Sequence, residues 1–293
     1  MPIKMSSLTQ SLQNMILGQK LGNVFYVDGT GGDDNNTGAD WDHAMASLLQ
    51  TEKKMQNANH DYILAAGAET ATAALALTKS DSHIIGIGAN GPLARGFRYT
   101  RVATVDGIQL STAADRVEIA GIQFTEPATD AILVDDAGAT DFWFHDCTVL
   151  GSTTASDAIR LDLEGARAVV TDNIFLLCKL AIDLVGAESV AQRNYIQDVD
   201  TAAKGIVVGA TAHRSIIGGF GLQDGNIINL SGTTGDVGIT ITSSADNCLV
   251  GHNQIDDGCS DAIADSGTAT MLIGNITGGI TGTSGASCQL FTE

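Results

Sequence analysis

Short apolar segments recur along most of the chain, and a turn residue usually precedes each of them. Runs such as DGIQL, DAILV and DAIRL share an isoleucine that we take as the anchor of the repeat. Successive anchors lie ~24 residues apart, except for a longer interval between Ile206 and Ile239, and a fixed period of this size indicates a repeat architecture. The anchors are Ile108, Ile132, Ile159, Ile182, Ile206, Ile239 and Ile263.

A second apolar element follows each anchor, and in five copies an asparagine precedes its last apolar residues. These segments are too short for helical repeats and are rich in Val, Ile and Thr, which favours strands. The turn asparagines are expected to stack as amide ladders if the repeats lie in register. They are Asn173, Asn194, Asn226, Asn253 and Asn275.

The returning strand–turn–strand order predicts an all-β fold: a single-stranded right-handed parallel β-helix (solenoid) of about nine coils with an N-terminal α-helical cap. Each strand would pair in register with the strands of the coils above and below it. We predict three parts: an attachment or capping segment over 1–22, a strand, Gly/Asp/Asn loop and cap helix over 23–60, and the β-helix over 61–293.

Two less regular coils are expected before the clear repeats. The long interval between the anchors at 206 and 239 predicts a lateral loop, around 218–224 or 231–236. The strands predicted for the irregular coils are 62–64, 73–77, 83–87 and 97–105.

An open solenoid end exposes unpaired backbone and apolar side chains, so it has to be capped. The pattern predicts a cap helix over 41–57, with Asp40 or Asp42 as its N-cap and an apolar stripe at helical spacing. A shorter amphipathic helix over 7–17 is either a second cap or an anchor that docks on another subunit. The stripe of the cap helix is Ala44, Met45, Leu48, Leu49 and Met55.

The loop between Tyr26 and Leu48 gathers acidic and amide side chains and so raises the question of a calcium site. Its acids do not follow the ligand spacing of an EF-hand, which ends in a glutamate at the twelfth position. We interpret the loop as the entry to the solenoid, with Trp41 covering the end of the core, and a bound cation stays an open alternative. The polar residues are Asp28, Asp33, Asp34, Asn35, Asn36 and Asp40.

The composition supports a core of small and aliphatic side chains, because 44% of the residues are hydrophobic and 5% are aromatic. Thirty-four glycines against 3 prolines indicate many turns between short strands. The net charge of −19 argues against binding to nucleic acid or to an anionic membrane, whereas a neutral glycan stays compatible. No apolar run reaches transmembrane length, and the first twenty residues lack a secretory pattern.

The five cysteines are odd in number and form no C-x-x-C pair, so we interpret them as buried reduced thiols. Two His/Cys pairs, Cys248 with His252 and His145 with Cys147, lack a full set of zinc ligands and are assigned to burial or turns.

The N-terminal motif and the repeat together resemble the pectate-lyase-like family of right-handed parallel β-helix proteins, of the kind found in tailed-phage virion proteins. The motif consists of Tyr26-Val27-Asp28, the loop 29–38, Trp41 and Leu49-Gln50, and the resemblance covers roughly residues 22–280. It implies the fold, but it does not select a function, because the scaffold hosts lyases, hydrolases, epimerases, tailspikes and inert rods.

The enzymes of this family carry their chemistry on the outside of the coils, as carboxylates with basic partners. The Asp-Asp pairs at 33–34, 135–136 and 256–257 lack the His-Gly, Arg-x-Lys and Arg-x-Pro contexts of those enzymes, so we interpret the pairs as closing turns. The best remaining acid–base group is Asp162 with Glu164, next to Arg160. We assign no catalytic, cofactor-binding or metal-ligating residue, and lean against an enzyme.

The sequence therefore favours a non-enzymatic virion structural protein of a tailed phage, a capsid decoration (cement) protein or a tail or fibre component, forming a projecting β-helix trimer. Residues 1–22 would attach it to other virion proteins, after synthesis in the host cytoplasm. The alternative is a glycan-binding or glycan-cleaving tailspike, a polysaccharide lyase or hydrolase acting on a host surface glycan at a site between subunits. A bacterial surface adhesin is a third candidate, which the missing signal peptide disfavours.

Overall fold

The computed structural model describes residues 22–88, 96–102, 106–125, 132–151, 159–198, 202–230, 235–256, 259–276, 280–281 and 288–290. The attachment segment predicted over 1–22, apart from its last residue, and the helix predicted over 7–17 lie outside the described residues. So do residues 103–105 of one predicted strand and 231–234 of one predicted loop.

Three parallel sheets run along the molecule, and the chain visits them in turn once per coil. Sheet 1 pairs the first half of the long strand β2 with short strands from the other coils. Its strands are β1 (Val24–Asp28), β2 (Asp61–Ala71), β4 (Ser82–Gly86), β7 (Glu118–Ala120), β10 (Trp143–His145), β13 (Val169–Thr171), β16 (Val190–Gln192), β19 (Ile216–Gly218), β22 (Leu249–Gly251), β25 (Met271–Ile273) and β27 (Cys288–Leu290).

Sheet 2 begins with the second half of β2, which turns the corner at Gly67 without a break in the strand. Gly67 has φ +80°, a conformation that costs glycine little. The other strands of sheet 2 are β5 (Phe97–Arg101), β8 (Ile122–Thr125), β11 (Thr148–Leu150), β14 (Ile174–Leu176), β17 (Tyr195–Gln197), β20 (Ile227–Asn229) and β23 (Gln254–Ile255).

Sheet 3 closes each coil and contains nine strands among the described residues. All pairings described in the three sheets are parallel, so the described part of the chain is a parallel β-helix of about nine coils, as the sequence predicted. The strands of sheet 3 are β3 (Leu75–Leu77), β6 (Ile108–Leu110), β9 (Val134–Asp136), β12 (Ile159–Leu163), β15 (Leu180–Leu184), β18 (Lys204–Val208), β21 (Val237–Ile241), β24 (Asp261–Asp265) and β26 (Ile280–Thr281).

The predicted anchors lie in sheet 3, but two of them were wrong by two residues. Ile108 pairs with Val134, and Val134 pairs with Leu161, so these residues and not Ile132 and Ile159 continue the column. A shift of two residues keeps the same face inward, which is why the periodicity could not detect the error. From Ile182 onward the predicted anchors are in register.

The predicted asparagine ladder is confirmed, and it lies buried at the corner between sheets 1 and 2. Each Nδ2 donates to the Oδ1 of the next asparagine, and the same Oδ1 accepts the backbone N–H of the preceding asparagine. The Nδ2–Oδ1 distances are 3.0 Å from Asn173 to Asn194, 3.0 Å to Asn226, 2.8 Å to Asn253 and 3.1 Å to Asn275.

A second ladder, which the sequence analysis missed, follows the corner between sheets 3 and 1. Its residues all have positive φ, near 54–61°, and their charges alternate from coil to coil. Two-point ion pairs join Arg116 to Asp81, and Arg167 to Asp141. Each exposed ion pair contributes little stability, but the alternation opposes errors in pairing. If the strand pairing shifted by one coil, residues of like charge would lie beside each other, which is destabilising. The ladder is Asp81, Arg116, Asp141, Arg167, Glu188 and Arg214.

The N-terminal cap is present but differs from the continuous helix predicted over 41–57. A 3-10 helix, Trp41–His43, is followed by an extended segment and a short helix α1, Leu48–Glu52. The break lets Met45 bond to the free edge of β1, where its N–H donates to Tyr26 O at 2.9 Å and its carbonyl accepts from Asp28 N. Covering this strand edge satisfies backbone groups that a continuous helix would leave unpaired.

The predicted cap stripe is buried, apart from Leu49, which is half-buried. Asp40 caps the 3-10 helix as predicted, accepting from His43 N at 3.0 Å. The prediction for Trp41 was wrong: its side chain lies against the edge of Tyr26 and is 43% exposed. Met45 and Leu48 cover the end of the core instead.

Buried carboxylates also tie the cap to the first coil. Glu52 accepts from the backbone N–H and the hydroxyl of Thr78, at 3.0 and 2.7 Å. Glu69 accepts from Leu48 N at 3.0 Å, and its burial raises its pKa to about 7. In the described part of the chain, no helix is long and apolar enough to cross a membrane.

Candidate functional site

A cluster of imidazole, carboxylate and aromatic side chains lies on the outer side of sheet 1 in the first four coils. The register aligns Tyr62 with His83, His83 with Glu118, and Glu118 with Trp143, one residue from each of four neighbouring strands. His145 lies two residues beyond Trp143, so its side chain points to the same outer side. We call these five residues, together with Asp146, the sheet 1 cluster.

Glu118 is the centre of the cluster, because its two carboxylate oxygens bind two imidazoles. His83 Nδ1 lies 2.6 Å from Oε2, and His145 Nε2 lies 2.9 Å from Oε1. These hydrogen bonds, first that from His145 and then that from His83, lower the pKa of Glu118 to about 2. Glu118 is therefore a carboxylate throughout the physiological pH range, with both oxygens occupied.

His145 is held between two carboxylates, since its Nδ1 also lies 2.8 Å from Asp146 Oδ2. Burial alone would lower the pKa of His145, but the hydrogen bonds to Glu118 and Asp146 outweigh burial and raise it. An imidazole that donates from both nitrogens carries a positive charge. Below this raised pKa, the arrangement holds an imidazolium on the outer face of the rod.

Two aromatic rings flank the charged groups. Tyr62 stacks on His83 with ring centroids 4.2 Å apart, and Trp143 stacks on His145 with centroids 3.9 Å apart. The Trp143 indole donates to Thr171 Oγ1 at 3.3 Å, which sets its orientation, and the side chain is 43% exposed. An oriented, exposed indole beside charged hydrogen-bonding groups is suited to binding a ligand with one apolar and one polar side.

The cluster is better suited to recognition than to proton transfer. A general base needs a carboxylate or neutral imidazole with a free lone pair in reach of the substrate. Both carboxylate oxygens of Glu118 and both ring nitrogens of His145 are already engaged in hydrogen bonds within the cluster. The Asp146 side chain is 56% exposed.

Of the acid–base group named from the sequence, Glu164 is near enough to Asp162 to raise its pKa. The Arg160 side chain is fully buried, whereas Asp162 lies on the outer side of β12 and Glu164 is exposed at its end. The register also stacks Asp162 between Asp135 and Asp183 of the neighbouring coils. Sequence analysis missed this acidic row because its partners are 21–27 residues apart.

Burial and mutual repulsion raise the pKa values in the acidic row. The pKa of Asp183 rises to about 6, chiefly through burial and then through Asp162, while Lys204 opposes the rise. The pKa of Asp162 is raised by burial, Glu164 and Asp135. Asp183 therefore titrates closer to neutral pH than an ordinary aspartate does.

The other predicted residues take structural roles. Asp136 of the second Asp-Asp pair is buried and accepts from Gly138, Ala139 and Gly165 backbone N–H groups, so it closes a turn as predicted. In the entry loop, Asp34 accepts from Ala46 and Ser47 N–H groups, at 3.0 and 2.9 Å, which agrees with the interpretation as a turn.

The two His/Cys pairs do not converge, since the Cys147 and Cys248 side chains are buried and His252 Nε2 bonds to Phe220 O at 2.9 Å. Within the described residues, no group of three or more His, Cys, Asp or Glu side chains could hold a metal ion.

Comparison with known proteins finds few that are similar to this chain. No protein-family model and no curated protein matches it, so the resemblance to the pectate-lyase-like family stays a prediction. Among solved structures, it is similar to a GH136 lacto-N-biosidase from Eubacterium ramulus, native protein, with a TM-score of 0.40 and 12% identity over 92% of this chain and 57% of that one. The selenomethionine derivative of that protein matches with a TM-score of 0.37 and 11% identity, over 92% of this chain and 65% of the other. This chain thus spans less than two thirds of their length, and the fold assignment rests on its strand pairing.

Proposed function

We propose that the protein is a non-enzymatic structural rod of a tailed-phage particle, a capsid decoration (cement) protein or a tail or fibre component, and that it works as a homotrimer. The observation that supports assembly is an aliphatic stripe on the outer side of sheet 1, continuous over five coils by register. We call it the sheet 1 stripe. It consists of Val169, Val190 and Ile216, which are half-buried, Leu249, which is only 7% exposed, and Met271, which is exposed.

The stripe is unusual for a sheet that faces water. A sheet with one solvated side normally alternates apolar residues inside with polar residues outside, whereas a sheet covered on both sides is apolar on both. In coils five to nine, sheet 1 follows the second pattern, because Val170, Ala191 and Ile217 are buried inside while the stripe lies outside. The stripe is uncharged on a chain with a net charge of −19, so two copies can meet there with little repulsion.

The assignment to a phage particle comes from the resemblance described for the sequence. In this proposal residues 1–22 bind a capsid or tail protein, the rod projects outward, and the protein is located in the virion. The test is to purify particles and quantify the protein in them, with a deletion of residues 1–22 as the variant. We expect stoichiometric copies in the particle and loss of incorporation on deletion; a soluble monomer that shortens a polysaccharide would overturn the proposal.

Met271→Asp is predicted to weaken self-association at least tenfold. Its side chain is 40% exposed at the end of the stripe, so a charge there disturbs the interface more than the folded chain. Analytical ultracentrifugation of the full chain over a concentration series measures the effect. Val102→Asp is the matched control, since Val102 is 38% exposed and lies outside the stripe. Equal association of both variants would exclude the stripe as an interface.

A second candidate function, glycan binding or cleavage, is favoured by the sheet 1 cluster. In this candidate the exposed Trp143 stacks on a sugar ring, and the exposed carboxylate of Asp146 accepts hydrogen bonds from its hydroxyl groups. In an assembled tailspike, such a site would be completed by a neighbouring subunit. The sheet 1 cluster lies in coils one to four and the sheet 1 stripe in coils five to nine, and Trp143 is the register neighbour of Val169 where they meet.

Trp143→Ala is predicted to weaken binding to a surface polysaccharide at least tenfold. Binding would first be found by screening a glycan array and then measured by calorimetry, with a reducing-end assay for cleavage. Trp41→Ala is the control, because Trp41 is equally exposed at 43% and also contacts a ring. The glycan hypothesis fails if no glycan binds, or if both variants bind as the wild type does.

A further inference from the structure

A groove of about 400 Å³ lies on the outer side of sheet 2 in the last coils. Its floor is a column in register, formed by Tyr195, Ile227, Gln254 and Ile276. Its rim includes Leu222, from the loop between β19 and β20 that the long repeat interval predicted. We call this feature the sheet 2 groove.

The groove and its loop expose an unusual amount of apolar surface. Leu222 is 80% exposed, Phe220 73%, Ile276 61% and Ile227 44%. Together these side chains offer roughly 500 Å² of accessible apolar surface, at the upper end of what a monomeric protein normally exposes in one patch. A standard interface buries about 800 Å² per partner, of which a little over half is apolar. The exposed area therefore matches one side of a stable protein–protein contact.

The loop that carries the two most exposed side chains is held in place by hydrogen bonds. Gly219 N donates to Gly251 O at 3.0 Å, Phe220 O accepts from His252 Nε2 at 2.9 Å, and Gly221 N donates to Asp224 Oδ2 at 3.1 Å. A loop already ordered in the free chain loses little entropy when a partner binds. Phe220 and Leu222 are thus presented to a partner by a fixed loop.

The charge of the groove suits a second copy of this chain. No carboxylate is among its described lining residues, and its Arg193 is paired with Asp172 at 2.7 and 2.8 Å. The chain is acidic, so most contacts between two copies would bring carboxylates together. A contact between this groove and the sheet 1 stripe would not. Both surfaces belong to the same coils, and they are separated by the corner that carries Arg193, His252 and Gly274.

We infer that the sheet 2 groove of one copy receives the sheet 1 stripe of the next copy. The inference rests on the proposed assembly and specifies its interface. Because the groove and the stripe are different surfaces on adjacent faces of the rod, the contact is head-to-tail and can close into a ring. Three copies related in this way form the homotrimer, with Phe220 and Leu222 packed against the partner's stripe.

Two variants of the full chain test the head-to-tail contact: Leu222→Asp in the groove and Met271→Asp in the stripe. Both positions are exposed, and unchanged circular-dichroism melting would confirm folding; Leu222→Gln is a milder second groove variant. We expect each variant alone to associate at least tenfold more weakly than the wild type in ultracentrifugation. A mixture of the two should form 1:1 dimers by native mass spectrometry, since one intact groove meets one intact stripe.

The other outcomes separate this inference from the proposed function. If the wild type assembles and Leu222→Asp assembles equally well, the groove is not the interface, although the proposed function stands. If Leu222→Asp does not self-associate, and mixing it with Met271→Asp does not restore dimers, the contact is groove to groove and the head-to-tail inference is overturned. A monomeric wild type overturns both. A photo-crosslinker at position 222 that captures a segment of its own chain would identify an intramolecular occupant and overturn the inference.

Discussion

Asn226→Ala should lower the free energy of unfolding by about 2–5 kcal/mol, as expected when a buried hydrogen-bond network is broken. Asn226 is fully buried and donates to Ala191 O at 2.9 Å and to Asn253 Oδ1 at 2.8 Å. Its Oδ1 accepts from both the backbone N and the Nδ2 of Asn194. Alanine would remove these four hydrogen bonds, although Asn253 Oδ1 keeps the bond from the backbone N–H of residue 226 and Asn194 Nδ2 keeps its bond to Val170 O. Each buried group left unsatisfied costs about 1–3 kcal/mol.

Chemical denaturation of the two proteins at one pH measures this difference. Asn229→Ala is the matched control, since Asn229 ends the same strand with its side chain on the outer, partly exposed side. We expect the control to change stability by less than about 0.5 kcal/mol, as surface substitutions usually do. Similar losses in both variants would mean that the amide ladder does not contribute the stability assigned to it.

Glu118→Gln is expected to lower the free energy of unfolding by about 1–3 kcal/mol near pH 5.5, and by less at higher and lower pH. The pKa of Glu118 is about 2 in the fold against an ordinary 4.5, so its contribution is present above pH 4.5 and is lost as the pH falls toward 2. The pKa of His145 is raised above 6.5, so its contribution is complete below pH 6.5 and is lost as the pH rises through the raised pKa. The two contributions overlap between about pH 4.5 and 6.5.

Urea unfolding at pH 3, 5.5 and 8.5 would trace this dependence, and NMR titration would follow the His145 ring. The ring should titrate at lower pH in the variant, because its largest stabilising partner has lost its charge. Glu164→Gln removes the same charge from an exposed side chain and is the control. If the difference in unfolding free energy between the variant and the wild type does not change with pH, the stability gained from the imidazole–carboxylate hydrogen bonds does not depend on the charges of these groups.

Features that recur from coil to coil could be predicted from the sequence. An asparagine precedes the last apolar residues in five copies, so the stacking of the asparagines followed from the repeat alone. The long interval predicted a lateral loop around 218–224 or 231–236, and the structure has a loop between β19 and β20 at the first of these positions. The sequence predicted which residues form the cap but not their secondary structure. The residues from 41 onward favour a helix, but the backbone of Met45 instead forms hydrogen bonds with the unpaired edge of β1.

The sheet 1 cluster could not be found in this way. Its members come from coils whose intervals are irregular, and no local signal sets which residue of β4 lies beside which residue of β7. Once the register places His83 beside Glu118, the chemistry follows directly from the side chains. The one available signal was the set of outward polar and aromatic residues in strands that are otherwise apolar.

Burial and backbone pairing impose the same requirements on every coil, so the class of fold, the inward face of the strands and the asparagine ladder could be predicted from the amino-acid sequence. The tertiary structure decided which coils lie in register, and with that the acidic row, the alternating charges at the corner, the sheet 1 cluster and the two apolar surfaces. The physical reason is that each of these consists of single residues from different coils, one strand spacing apart in space and more than twenty residues apart in the chain.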